Sequence, residues 1–99
     1  MNQRQRLDAT VHGRVQGVGF RWFVRHTAAR LRLVGWVANE TSGSVRVVVE
    51  GETPQIEEMA AELRQGPPGA IVDRVEASSG PPTGEFTSFV IRARGHSGD

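Results

Sequence analysis

Apolar and polar residues exchange places along this chain with two different periods. From Leu7 to His12 they alternate, Leu7, Ala9 and Val11 against Asp8, Thr10 and His12, the period-two pattern of a half-buried strand ending near Gly13. From Phe20 the period lengthens. Phe20, Phe23, Val24, Thr27, Ala28 and Leu31 follow the spacing of an amphipathic helix, while Arg21, Arg25, His26 and Arg32 take its opposite face. Val34 to Asn39 reads as a second strand, Glu40 to Gly43 as a turn, and Ser44 to Glu50 as a third strand with Val45, Val47 and Val49 on one face. A second helix opens at Gly51-Glu52-Thr53-Pro54, with Thr53 as N-cap and Pro54 in the first helical position. Its inward stripe is Ile56, Met59, Ala60 and Leu63, its outward side carries Glu57, Glu58 and Glu62, and Gln65 to Gly69 breaks it. Ile71 to Glu76 and Phe86 to Arg92 read as two further strands, separated by a Ser/Gly/Pro-rich loop over Ser78 to Gly84.

The order β-α-β-β-α-β, with room for one more strand, predicts an α+β protein of the ferredoxin-like βαββαβ plan. Two helices should pack on one face of a four- to five-stranded, mostly antiparallel sheet. Residues 1–6 are expected to be frayed, 7–93 to form one domain, and 94–99 to be a flexible tail. At 99 residues the chain is too short for an active site between two domains.

Composition narrows the chemistry. All 12 basic residues are Arg, against 11 acidic ones, and there is no Lys, Cys or Tyr. The pI of about 9.0 therefore reflects missing groups that titrate between neutrality and pH 10, because the net charge is only +1. A nucleic-acid partner is not expected on that charge. Without Lys there is no Walker-type phosphate lysine and no Schiff base; without Cys there is no thiol nucleophile, disulfide or thiolate metal site. His12, His26 and His96 lack metal-ligand spacing, so neither a metal nor another cofactor is expected. The N-terminal MNQRQRLDAT has no apolar signal core and no run reaches membrane-spanning length, which points to the cytoplasm and away from a membrane. His12 and the arginines Arg25, Arg30 and Arg32 are read as exposed or structural, Phe20 and Phe23 as core, Trp22 as lying off the helix stripe, and Trp36 as packing near the site.

The segment that can carry chemistry is Gly13-Arg14-Val15-Gln16-Gly17-Val18-Gly19-Phe20-Arg21, where a strand gives way to a glycine-rich loop and then to a helix start. Glycines let backbone N–H groups converge on a small anion, and a helix N-terminus adds unpaired donors and partial positive charge. Arg21 can add a forked contact to phosphate oxygens, about 1.5–3 kcal/mol for a hydrogen bond to a charged group. Trp22 stands where a dinucleotide fingerprint needs its third glycine, and a Walker loop lacks its lysine. On local composition alone, two readings stay open: a phosphate-sized anion site, or a glycine-rich turn followed by a solvated arginine.

A resemblance separates them. Val11-His12-Gly13-Arg14-Val15-Gln16-Gly17-Val18-Gly19-Phe20-Arg21 is similar to the first signature of the acylphosphatase family. Gly35-Trp36-Val37-Ala38-Asn39, followed by Gly43, Val45 and Gly51, resembles its second signature in the usual spacing. The Gly66-Pro67-Pro68 break and Phe89-Val90-Ile91-Arg92 also resemble the family, so the likeness spans residues 7 to 92. It implies a stand-alone hydrolase that splits acyl phosphates into carboxylate and orthophosphate. It further implies that Arg21 binds the phosphoryl group together with the N–H groups of Gln16, Gly17, Val18, Gly19 and Phe20, while Asn39 orients the attacking water. Many relatives carry Thr directly after this asparagine, where this chain has Glu40.

The implied reaction suits a chain with so few reactive groups. The leaving group of an acyl phosphate is a carboxylate, whose conjugate acid has a pKa of about 4, so no general acid is required. Charge stabilisation and an in-line water supply most of what the transfer needs, without a covalent intermediate. A phosphate or sulfate ion is the expected site ligand, a small acyl phosphate the expected substrate, and a monomer the expected state. The alternative is a non-catalytic ferredoxin-like module that binds nucleic acid or a protein partner on its sheet.

Overall fold

The computed structural model describes residues 3–93. Seven elements follow one another: β1 (Arg4–Arg14), α1 (Phe20–Leu31), β2 (Val34–Asn39), β3 (Val45–Glu52), α2 (Thr53–Gln65), β4 (Ile71–Gly80) and β5 (Phe89–Arg92). The strands form one mixed sheet in the order β4-β1-β3-β2-β5, antiparallel throughout except where β5 runs parallel to β2. This is the expected ferredoxin-like plan with five strands, and the two helices pack on one face of the sheet.

Periodicity explains which side chains meet. Leu7, Ala9 and Val11 of β1, Val45, Val47 and Val49 of β3, and Val37 of β2 all point into the layer between sheet and helices. The helices answer with Phe20, Val24, Ala28 and Leu31 from α1 and Ile56, Met59 and Leu63 from α2. Thr27, buried on the same stripe, returns its hydroxyl hydrogen to the Phe23 carbonyl at 2.9 Å, which satisfies the one polar atom that position brings inside. A smaller apolar group, Trp36, Ala38 and Val48, sits on the other face of the sheet. There the Trp36 ring lies between the Arg46 and Arg92 guanidiniums, 5.9 and 4.6 Å from its centroid. Trp36 is thus a component of the helix-free face.

Several boundaries differ from the sequence reading. Residues 4–6 are not frayed: Arg4, Gln5 and Arg6 pair with Glu52, Gly51 and Glu50, and Arg6 forms ion pairs to Glu50 and Glu85. Thr53 is not the N-cap of α2. Glu52 occupies the cap position, and Thr53 directs both its N–H and its hydroxyl to the Gln3 carbonyl, so the chain's start draws the threonine away from capping. β4 continues to Gly80 because Ser79 and Gly80 pair with Leu7 and Arg6; β5 begins only at Phe89. Arg30 is not simply solvated but reaches Glu58 and Glu62 across the helix pair, at 2.7 and 3.4 Å. His12 bonds to Glu76 at 2.6 Å on the exposed side of the sheet. The expected tail, 94–99, lies outside the described residues.

Candidate active site

The glycine loop is set by anchors at both ends. β1 closes with an irregularity at His12/Gly13, where Gly13 has φ +132° and a Cβ would stand 2.1 Å from the Ile71 carbonyl oxygen. Val15 then enters the core at 1% exposure, and Phe20 does the same at the start of α1. The four residues between them form an arch in which Gly17 and Gly19 are exposed while Gln16 and Val18 are half-buried, Val18 packing against the core. Gly17 and Gly19 adopt φ +75° and +80°, the left-handed region that side chains resist, although open space surrounds both. Conformation, not crowding, requires glycine there.

That arch leaves its donors unspent. Gly19 is the N-cap of α1, makes no side-chain cap bond, and no acidic residue sits in the first turn. Among the described residues, no N–H from Gln16 to Phe20 has an acceptor; the first bond of the helix is Phe23 N–H to the Gly19 carbonyl, 3.0 Å. Among the described residues, the positive end of the helix dipole therefore has neither a side-chain cap nor a first-turn carboxylate. Arg21 follows in the first turn, half-buried, and its guanidinium has no ion pair or hydrogen bond among the described residues. It borders an open cleft of about 400 Å3 shared with Trp22, Arg25, Phe89, Val90 and Ile91.

Asn39 is brought to the same end of the sheet. It is the last residue of β2, half-buried, paired with Val45, and its side chain makes no hydrogen bond among the described residues. The turn after it is closed by Glu40 N–H to the Ser44 carbonyl and Gly43 N–H to the Glu40 carbonyl. The Gln16 side chain ties that turn to the loop, donating to the carbonyls of Glu40 and Ser44 at 2.8 and 2.9 Å. Gln16, singled out for its backbone, thus also fixes the loop to the strand end that carries Asn39. Glu40 accepts from the Ser44 hydroxyl at 3.2 Å. Among the described residues no three His, Asp or Glu side chains converge on a point that could hold a metal ion.

Sequence reasoning missed a second arrangement of arginine and loop donors. Glu50, near the far end of β3, is 1% exposed. Its carboxylate accepts from Arg6 Nη1 (3.0 Å), the Thr83 N–H (3.0 Å), the Thr83 hydroxyl (2.8 Å) and the Gly84 N–H (3.0 Å). Burial opposes the charged form, but the Thr83 and Gly84 donors and Arg6 outweigh it and hold the pKa at about 2. No local pattern marks Glu50, because its roof arrives from more than thirty residues away.

The acylphosphatase family model matches residues 7–91. An acylphosphatase of Mesorhizobium japonicum is 53% identical over 77 residues, which cover 77% of this chain and 82% of that protein. One from Koribacter versatilis is 46% identical over 81 residues, 82% of this chain and 74% of its own length. The crystal structure of acylphosphatase from Bacillus subtilis superposes with a TM-score of 0.86 at 31% identity, covering 89% of this chain and 98% of its own.

Proposed function

This chain belongs to the acylphosphatase family, and from that premise we propose how its own residues carry out acyl phosphate hydrolysis. Arg21 and the backbone N–H groups of Gln16, Gly17, Val18, Gly19 and Phe20 grip the phosphoryl oxygens, and Asn39 orients the attacking water. Water adds to phosphorus in line with the bridging oxygen; the P–O bond to that oxygen breaks, and its electron pair leaves with the carboxylate. The proton released from water passes to solvent or to the orthophosphate formed. Negative charge spreads over the phosphoryl oxygens in this step, where fixed donors stabilise it most. No metal, cofactor or covalent intermediate takes part.

The observation that carries this reading is the set of unspent donors. Among the described residues, the buried carboxylate of Glu50 has four donors, whereas five consecutive N–H groups without acceptors, a helix start with no acidic residue in its first turn and an arginine without an ion pair follow one another over residues 16–21. Phosphate or sulfate has the shape and charge to occupy them. The Gln16 tether keeps Asn39 with the loop, so the water-orienting amide and the anion grip act as one unit. The substrate is a small-molecule acyl phosphate, handled by a monomer in the cytoplasm without nucleic acid or a membrane. No helix among the described residues is long and apolar enough to cross a membrane.

Hydrolysis of benzoyl phosphate tests the reading. The wild-type protein is expected to turn it over without added metal, and Arg21→Ala and Asn39→Ala are expected to lose that activity while staying folded. Full activity in either variant removes the corresponding residue from the mechanism. Absence of activity together with salt-dependent binding of single-stranded RNA would favour the non-catalytic module instead.

A further inference from the structure

An acyl group is joined to its phosphate through one oxygen atom. A phosphate held by Arg21 therefore leaves its acyl group in the space beside Arg21, and the cleft of about 400 Å3 bordered by that residue is such a space. One wall is the first turns of α1, where Arg21 and Arg25 stand one turn apart with Trp22 beside them. The other wall is β5, an edge strand whose only partner in the sheet is β2, contributing Phe89, Val90 and Ile91.

The lining is apolar where it is most open. Three large apolar side chains remain exposed among the described residues, and two of them, Trp22 at 57% and Val90 at 47%, border this cleft. The Arg25 guanidinium lies 5.3 Å from the Trp22 ring centroid, a cation–π contact that favours one placement of an indole whose remaining surface is uncovered. Such a volume lies within the roughly 300–1,000 Å3 of small-molecule sites and far exceeds an acetyl or carbamoyl group. Water gains little by covering an indole and a valine; a flat apolar acyl group would displace it favourably.

We propose that the Trp22–Val90 cleft is an acyl-group subsite that makes this protein select acyl phosphates with bulky apolar, particularly aromatic, acyl groups over those with small polar ones. Trp22 and Val90 are the specificity-determining residues, and Arg25 acts as a positioning residue through Trp22. The inference rests on the assignment of Arg21 as the phosphoryl ligand. Binding of the acyl group is the same in the ground state and the transition state, so the selectivity resides in KM more than in kcat.

Benzoyl phosphate and acetyl phosphate separate the two ideas, because their leaving carboxylates are similar in basicity and differ in size. The wild-type protein is expected to favour benzoyl phosphate by at least about tenfold in kcat/KM, mainly through KM, as one ring packed on an indole allows. Trp22→Ala is expected to collapse that ratio towards one, with the inhibition constant of inorganic phosphate retained. Val90→Thr, which keeps the branched shape suited to the strand, is expected to lower the ratio about threefold and remains informative if Trp22→Ala fails to fold. A wild-type ratio near one, or a ratio that survives both substitutions, overturns the subsite while hydrolysis and phosphate inhibition still uphold the role of Arg21. Failure to hydrolyse either substrate, with no binding of inorganic phosphate, overturns both.

Discussion

Two ends of the same sheet carry the same kinds of group, an arginine and loop amides, with different partners. At one end, Arg6 and the N–H groups of Thr83 and Gly84 surround the carboxylate of Glu50. At the other, Arg21 and the N–H groups of Gln16 to Phe20 surround nothing that the described residues supply. Asn39 pairs with Val45 and Val34 with Glu50, so the two sites stand five residues apart along β3, roughly 17 Å at strand rise. Each has an arginine beside a glycine-containing loop. The difference is the anion. Where the chain provides its own, the arrangement staples a loop to a strand; for the other, we propose an oxyanion from outside. On the proposed reading, the second set of donors serves an anion brought by the substrate.

Substitutions should pull the two ends apart. The largest effect is expected from Arg21→Ala, which removes the forked cation from the unfilled cradle. We expect kcat/KM for benzoyl phosphate to fall about 10³-fold, as for loss of a principal oxyanion ligand, with the melting temperature nearly unchanged. Asn39→Ala should follow at about 10²-fold, expressed in kcat because the water assigned to it in the proposed mechanism reacts only after substrate is bound.

The filled cradle should respond the other way. Glu50→Gln keeps the shape but leaves Arg6 facing a neutral amide, and should cost about 2–3 kcal/mol. For a domain of this length that is a fall in melting temperature of about 10–20 °C, with kcat/KM of the folded protein unaltered. A comparable loss of activity from Glu50→Gln would erase the distinction between the two ends.

Acid sharpens it further. The folded pKa of Glu50, about 2, lies below the ordinary value of 4.5, so its stabilisation is complete above that value and is lost as pH falls from there towards 2. The full size is about 3 kcal/mol at about 1.4 kcal/mol per pH unit of separation. Melts from pH 5 to 2 should show wild type losing stability more steeply than Glu50→Gln, whose side chain does not titrate. The smallest response is expected from Arg30→Ala. Its partners Glu58 and Glu62 are surface carboxylates, so neither activity nor melting should move appreciably in a side-by-side assay and melt.

The two ends also differ in how far the sequence announced them. Everything local was legible. Alternation in Leu7 to His12 and the stripe from Phe20 to Leu31 specify a strand and a helix, and the glycines between them mark the arch because left-handed backbone excludes other residues cheaply. The resemblance named Arg21 and Asn39, but only the Gln16 bonds to Glu40 and Ser44 explain how the loop and the strand end are kept together. Glu50 was illegible for a physical reason. Alternation with Val45, Val47 and Val49 puts it on the face without helices, and its burial comes from Thr83 and Gly84, whose Pro-rich surroundings read as an ordinary exposed loop. The Thr53 cap failed similarly, since the competing acceptor, the Gln3 carbonyl, is distant in sequence. Periodicity places Trp22 off the helix stripe, but the cleft it shares with Val90 exists only once β5 lies beside α1.

The account stands or falls on whether the unfilled cradle takes an oxyanion. Backbone amide shifts followed by 15N–1H correlation spectra during titration with inorganic phosphate report this residue by residue. The expected result is a saturable shift concentrated on the N–H resonances of Gln16, Gly17, Val18, Gly19 and Phe20, lost in Arg21→Ala, with Thr83 and Gly84 unmoved because Glu50 already occupies them. Shifts absent from the loop, or unchanged by Arg21→Ala, would contradict it.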